Sequence, residues 1–126
     1  MPQTEIRVFR KASGVCPLID WLRTLKARFP KAHSKCLAAI VNLSQNGSDL
    51  RRPAADYLRD GIFELRIRAG KVHYRILYAF TGKQVAVLTH GFTKKGAVPD
   101  NEIERAISSS NLARQDPKKY TAEFEL

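Results

Sequence analysis

The sequence predicts a single α+β domain, built on a twisted, mostly antiparallel four-stranded sheet with helices packed on one face. A length of 126 residues is typical of one domain, and 44% hydrophobic residues are enough to form a core. Apolar residues recur at helical spacing in three segments and follow strand patterns in four others. The predicted order is β-αα-βββ-α, in one domain over 1–126 with a core of about 5–110 and a tail at 111–126.

The N-terminal part supplies one strand and two helices. Residues 4–10 alternate between polar and apolar side chains, which predicts the first strand. Pro17 suits the first turn of a helix over about 17–28, because its missing N–H would have no partner there. A second helix over about 31–45 ends at an Asn-Gly pair, and the two helices predict an αα-hairpin.

The C-terminal part supplies three strands and a third helix. The strands are predicted at about 61–68, 71–80 and 83–90. Two-residue turns at Ala69-Gly70 and Thr81-Gly82 join them, and residues 48–60 before them resemble a surface connection. A helix begins near Asn101, where Asp100 can cap it, and the residues after this helix form a partly ordered tail.

Charge favours a polyanionic partner. The net charge is +10, and residues 61–95 carry seven Lys and Arg against one acid, Glu64. Nucleic acid is the commonest partner of such a surface. The chain has no apolar run that could span a bilayer and no signal-peptide core, so we expect a cytoplasmic protein without a membrane partner. Two cysteines without nearby soft ligands predict neither a metal site nor a cofactor.

The predicted turns also assign side chains to the two faces of the sheet. Counting back from them, Arg66 lies opposite His73, which in turn lies opposite His90. Glu64 lies opposite Arg75 on the same face. The other face then receives a nearly continuous apolar set, which should bury against the helices: Phe63, Leu65, Ile67, Val72, Tyr74, Ile76, Tyr78, Phe80, Val85 and Val87. One register therefore separates an apolar face from a basic one.

Each of these placements has a structural alternative. Glu64 and Arg75 can form an ordinary cross-strand ion pair, or Glu64 can orient Arg75 toward a phosphate. His73 and His90 can be spectators, or a neighbouring pair that exchanges protons. The Arg51-Arg52 pair is most simply a solvated loop, although it can also touch phosphates.

Four motifs in order resemble the RelE/ParE toxin superfamily, and most closely its HigB branch with the phage Gp49-like proteins. They are LRDGIFELR, HYRILYAF, LTHGFTKKG and PDNEIERA, and the similarity covers about residues 5–110. The resemblance implies a RelE-like fold and the toxin of a type II toxin–antitoxin module. It also implies a metal-independent endoribonuclease that cuts mRNA in the ribosomal A site. The implied partner is a cognate antitoxin, a helix-turn-helix HigA-like protein.

The resemblance, the predicted register and the charge of the strands together give the candidate residues. The expected catalytic residues are Arg75, His90, Arg66, Lys94, Lys95 and His73. The expected RNA-binding or orienting residues are Glu64, Arg68, Lys71 and Phe92. Many RelE proteins carry a catalytic tyrosine near the final helix, and this chain has none there. We therefore expect histidine and lysine to transfer the protons, with His90 as the first choice.

Two other functions remain open at this point. A ParE-like toxin shares the fold and poisons DNA gyrase without catalysis. Such a protein needs no acid–base groups, so the two histidines and the HGFTKK motif favour the nuclease over this alternative. An inert basic nucleic-acid-binding module would bind in a salt-dependent way and would not arrest growth. Cleavage of RNA, supercoiling of DNA and growth arrest distinguish the three.

Overall fold

A computed structural model describes residues 3–125 and folds them into a six-stranded sheet with helices on both faces. The strands are β1 (Glu5–Phe9), β2 (Ala55–Arg59), β3 (Ile62–Ala69), β4 (Val72–Gly82), β5 (Val85–Thr93) and β6 (Thr121–Glu123). The helices are α1 (Pro17–Arg28), α2 (Pro30–Asn46), α3 (Asp100–Gln115) and α4 (Pro117–Tyr120). The strand order is β2-β3-β4-β5-β1-β6, and only the β1–β5 pairing among these is parallel.

The predicted αα-hairpin is confirmed and covers one face of the sheet. Helices α1 and α2 each begin at a proline, and they bury leucines, Cys36 and Ile40 against Leu65, Ile76 and Tyr78. Gly91 on β5 allows α1 to approach closely, because a Cβ there would lie 2.4 Å from the ring of Trp21. The hairpin thus forms the main core.

The third helix packs on the opposite face, so the prediction that all helices share one face was wrong. Ile103 and Ala106 of α3 pack against Leu77 and Ala79 of β4, which alternate with the residues that face the hairpin. The run Ile76–Phe80 is apolar at every position, as expected for a strand that is buried on both faces. Helix α3 covers only part of its face and leaves the neighbouring part open.

The predicted sheet had two strands too few. β2 lies within the segment expected to be a surface connection, and β6 lies within the expected partly ordered tail. β6 pairs with β1, and the Nε of Arg7 donates a hydrogen bond of 2.8 Å to the hydroxyl of Thr121. The β2 sequence, ADYLR, does not alternate between polar and apolar side chains, and β6 has only three residues, which is why the sequence pattern did not reveal them.

The strand registers also differ from the prediction. The β3–β4 loop is Gly70-Lys71, so Arg66 lies opposite Arg75, and Arg68 opposite His73. This two-residue displacement leaves each side chain on its predicted face. The β4–β5 loop is Lys83-Gln84, two residues later than predicted, so His90 lies opposite Leu77 instead of His73. Two register irregularities, near Phe80 and near Leu77, lie between the loop and His90.

The irregularities between β4 and β5 also exchange the faces of β5 residues, and Leu88 packs in the hairpin-face core. Val87 was expected on the apolar hairpin face, but it packs with Phe9 and Ala113 of α3. Among residues 3–125, no helix has both the length and the apolar character needed to cross a membrane.

Candidate nucleic-acid interface

The open part of the α3 face forms a groove between the β2 edge, β4 and the loop that follows β5. Two adjoining cavities, of about 480 and 650 Å³, make up this basic groove. Both are lined by Arg52, Arg66, His73 and Arg75. Arg68 lines the smaller cavity and Lys95 the larger one. The predicted residues Arg66, Arg68, His73, Arg75 and Lys95 are therefore brought together.

Arg75 lies at the floor of the basic groove and is already engaged. Its side chain and that of Glu64 are each 5% exposed, and its Nη1 donates a hydrogen bond to the Glu64 carboxylate. Its Nη2 donates a hydrogen bond of 2.9 Å to the carbonyl of Gly96. Arg75 thus joins the sheet to the loop that carries Lys95, and Glu64 holds Arg75 in place.

Arg66 and His73 have the opposite character. Arg66 is exposed on β3, and within residues 3–125 its guanidinium donates no hydrogen bond and joins no ion pair. His73 is half-buried on β4, on the same face. Arg68 is exposed and donates from Nε to the carbonyl of Gly70, 3.0 Å away. These side chains are the ones that can reach a ligand in the groove.

The β2 edge adds residues that the sequence reading did not assign to the site. Arg52 donates two hydrogen bonds to one carboxylate oxygen of Asp56, at 3.0 Å from Nε and 2.6 Å from Nη2. The hydrogen bond from Arg52 lowers the pKa of Asp56 below its usual value. The Arg51-Arg52 pair, with an acid four residues after Arg52, was the available signal, but the segment resembled a solvated loop.

His90 does not reach the basic groove, which corrects the predicted pairing with His73. The ring lies beneath α3 with 2% of its surface exposed. Nε2 is 3.1 Å from a carboxylate oxygen of Glu102, and Nδ1 is 3.1 Å from the hydroxyl of Thr89. Burial is the main cause that lowers the pKa of His90, and the positive charge of Arg105 lowers it further, to about 4. The ring is therefore neutral near pH 7 and bridges β5 to α3.

The remaining candidates lie around the groove. Phe92 stacks on His90, with 5.7 Å between ring centroids, and it packs in the cluster beneath α3. Lys71 is exposed in the β3–β4 turn. Lys94 is exposed at the end of β5, and its backbone N–H donates a hydrogen bond of 3.0 Å to the carbonyl of His73.

The groove offers cationic and imidazole chemistry. Among the described residues, no group of three or more histidine, cysteine, aspartate or glutamate side chains is placed to hold a metal ion. Exposed guanidinium groups bind phosphate oxygens in pairs, and an imidazole can accept or donate a proton near neutral pH. This arrangement suits a phosphodiester backbone.

A comparison with protein families gives a match over most of the chain. A sequence model for phage-derived, Gp49-like proteins matches residues 20–110, which include most of α1, the whole of α2, the basic groove and the first turns of α3. Proteins of this family are RelE- and HigB-like toxins. No curated protein matches the chain significantly.

Proposed function

Because the chain belongs to the Gp49-like family of phage-derived proteins, we propose that it is the toxin of a type II toxin–antitoxin module and cuts messenger RNA. The reaction needs no metal and takes place in the ribosomal A site. The observation that carries the proposal is the exposed, unpaired guanidinium of Arg66, in a groove that also holds Arg68 and the His73 ring. Family membership also suggests an antitoxin partner, which we propose is a helix-turn-helix HigA-like protein.

The proposed reaction is attack by a ribose 2′-oxygen on the adjacent phosphorus. The 2′-hydroxyl loses its proton to a base, the new P–O bond forms, and the P–O5′ bond breaks as the 5′-oxygen receives a proton. The products are a 2′,3′-cyclic phosphate and a 5′-hydroxyl. Such a reaction requires a base, an acid and positive charge at the crowded phosphorus.

The groove offers a candidate for each task. Arg66 and Arg68 bind the non-bridging oxygens, where negative charge develops in the transition state. His73 is the imidazole in the groove and accepts the proton of the 2′-hydroxyl. Lys95, with Lys94 beside it, holds the backbone and protonates the leaving oxygen. We assign no proton transfer to His90, the first choice of the sequence analysis, because its ring is buried beneath α3.

The test compares the three functions directly. The purified protein is incubated with mRNA on ribosomes, with the same RNA alone, and with DNA gyrase and a supercoiled plasmid. We expect cleavage on ribosomes, weak cleavage of RNA alone because the groove is open and shallow, and unchanged supercoiling. Gyrase poisoning without RNA cleavage would favour the ParE-like function. Binding to RNA without cleavage or growth arrest would favour the inert module.

A further inference from the structure

Tyr57 on β2 is an exposed aromatic side chain beside the basic groove. It is 53% exposed, although its ring is held at two points. Phe63 packs against it edge to face, with 5.0 Å between centroids, and the hydroxyl accepts a hydrogen bond of 3.1 Å from the backbone N–H of Gly61. The ring is therefore fixed in orientation while more than half of its surface meets solvent.

The ring lies on the hairpin face of the β2 edge, because Tyr57 is the register partner of Phe63, whereas Arg66 is on the face with the basic groove. Tyr57 lines the larger cavity of the groove and also a neighbouring cavity of about 480 Å³ on the outer side of β2. Arg51 and Arg52 line that outer cavity. Arg51 donates hydrogen bonds to the backbone carbonyls of Ser48 and Leu50. Because these acceptors are uncharged, they do not neutralise the positive charge of Arg51.

The opposite end of the groove is not attractive to a polyanion. Arg59 lines it, but this guanidinium lies within 2.5 to 2.8 Å of carboxylate oxygens of Asp60, Asp100 and Glu104. Three carboxylates around one guanidinium leave that end negative. A nucleic-acid strand bound at Arg66 therefore continues more favourably across the β2 edge, past Tyr57 and toward Arg51.

From this geometry we infer that Tyr57 is a stacking platform for one unpaired RNA base, at the point where the strand has crossed the β2 edge from Arg66 and approaches Arg51 and Arg52. The inference rests on the proposed function, because it takes single-stranded RNA as the ligand. Bases stack on exposed aromatic rings whatever their identity, and such a platform beside a basic track is how proteins hold single strands. The platform sets the position of the RNA strand relative to the groove.

The experiment measures binding to an RNA that cannot be cut. A fluorescent single-stranded oligonucleotide of about eight nucleotides, with 2′-O-methyl riboses throughout, is titrated with wild type, Tyr57→Phe and Tyr57→Ala. Loss of one stacked base should weaken Kd about 5- to 100-fold in Tyr57→Ala. Tyr57→Phe keeps the ring and should bind within about twofold of wild type. Phe29→Ala is the matched control, because Phe29 is also 53% exposed and lies outside the groove.

A second series identifies the stacked base. Each oligonucleotide in the series carries one abasic site, at a different position along the strand. Wild type should bind more weakly when the abasic site is at one particular position, whereas Tyr57→Ala should bind that oligonucleotide as well as the others. Equal Kd for wild type and Tyr57→Ala would overturn the platform, as would loss of antitoxin binding with RNA binding unchanged. Tyr57-dependent RNA binding by a protein that never cuts mRNA on ribosomes would uphold the platform and overturn the proposed nuclease.

Discussion

Two arginines that face each other across β3 and β4 differ in what they can do. Arg66 and Arg75 are register partners on the same face of the sheet. Arg66 is exposed, whereas Arg75 has 4% of its surface exposed and is bound to Glu64 and to the carbonyl of Gly96. The sequence pattern does not distinguish the two, and from their burial we propose that Arg66 contacts the substrate and that Arg75 supports the groove.

We expect Arg66→Ala to slow mRNA cleavage on ribosomes about 10²- to 10³-fold, because it removes one charge donor at the phosphate. The side chain is exposed, so the free energy of unfolding should change by no more than about 0.5 kcal/mol. Single-turnover cleavage and urea unfolding measure the two effects. Arg23→Ala on α1 is the control, since that side chain is 78% exposed and lies away from the groove. Full activity in Arg66→Ala would contradict its role.

Arg75→Ala should instead destabilise the fold by about 3–5 kcal/mol, because it leaves the buried carboxylate of Glu64 without its partner. Urea unfolding at pH 7 measures the loss. A pair of substitutions that removes both charges, Glu64→Gln with Arg75→Gln, should recover part of it, since no unpaired charge is then buried. An unchanged unfolding midpoint in Arg75→Ala would show that the pair adds nothing to stability.

At the scale of elements, the junction of α3 with β5 depends on His90. The ring is buried between Thr89 and Glu102, and its pKa of about 4 lies below the ordinary 6.5 of the unfolded chain. The unfolded state therefore binds a proton first as the pH falls. The stabilisation of the folded state by the neutral His90 ring is complete above about pH 6.5. It is lost progressively down to about pH 4 and changes little below that.

We expect the free energy of unfolding to fall by up to about 3 kcal/mol between pH 6.5 and pH 4 because of this one group. Carboxylates titrate in the lower part of the same range, so the measurement is the difference between wild type and His90→Gln. The variant should lose less stability on acidification than wild type. Parallel curves for the two proteins would show that His90 does not control the junction.

Long periodic segments were predictable from the sequence, and local irregularities were not. The predicted bounds of α1, α2 and the three central strands lie within a few residues of the observed ones. The loop after β3 was placed one residue early, because Gly70, with a φ of 61°, occupies its first position and not its second. The loop after β4 lies two residues later than predicted, at Lys83-Gln84, and this displacement moved His90 away from His73. The register irregularities between β4 and β5 have no sequence signal of their own, and they moved Val87 to the other face.

The site was predictable to the same extent. An even register displacement keeps the face of a residue, so Arg66, Arg68 and His73 lie where the alternation placed them. Arg52, Asp56 and Tyr57 were missed because the segment around β2 carries no clear alternation and resembled a surface connection. The cover that α3 places over His90 is a tertiary contact, which periodicity along the chain cannot reveal.

At the scale of the whole molecule, the charge of +10 determines how RNA binding responds to salt. Three exposed arginines in the basic groove, Arg52, Arg66 and Arg68, can each neutralise a phosphate. For single strands the logarithm of the binding constant should then fall with the logarithm of salt with a slope of about −2. Titrations at several KCl concentrations measure it, and Arg66→Ala should reduce the slope by about 0.7. A slope near zero would mean that the groove does not bind phosphates.

The position of β1 between β5 and β6 has a consequence for the time at which the protein becomes active. β1 is made first, yet its partners are Val85 to Leu88 on one side and Thr121 to Glu123 on the other. Closing such long loops delays folding, so a sheet of this topology is expected to form in milliseconds to seconds, well after its helices. A newly made chain thus passes through an interval in which β1 is unpaired, and any activity that needs the complete sheet begins only after that interval.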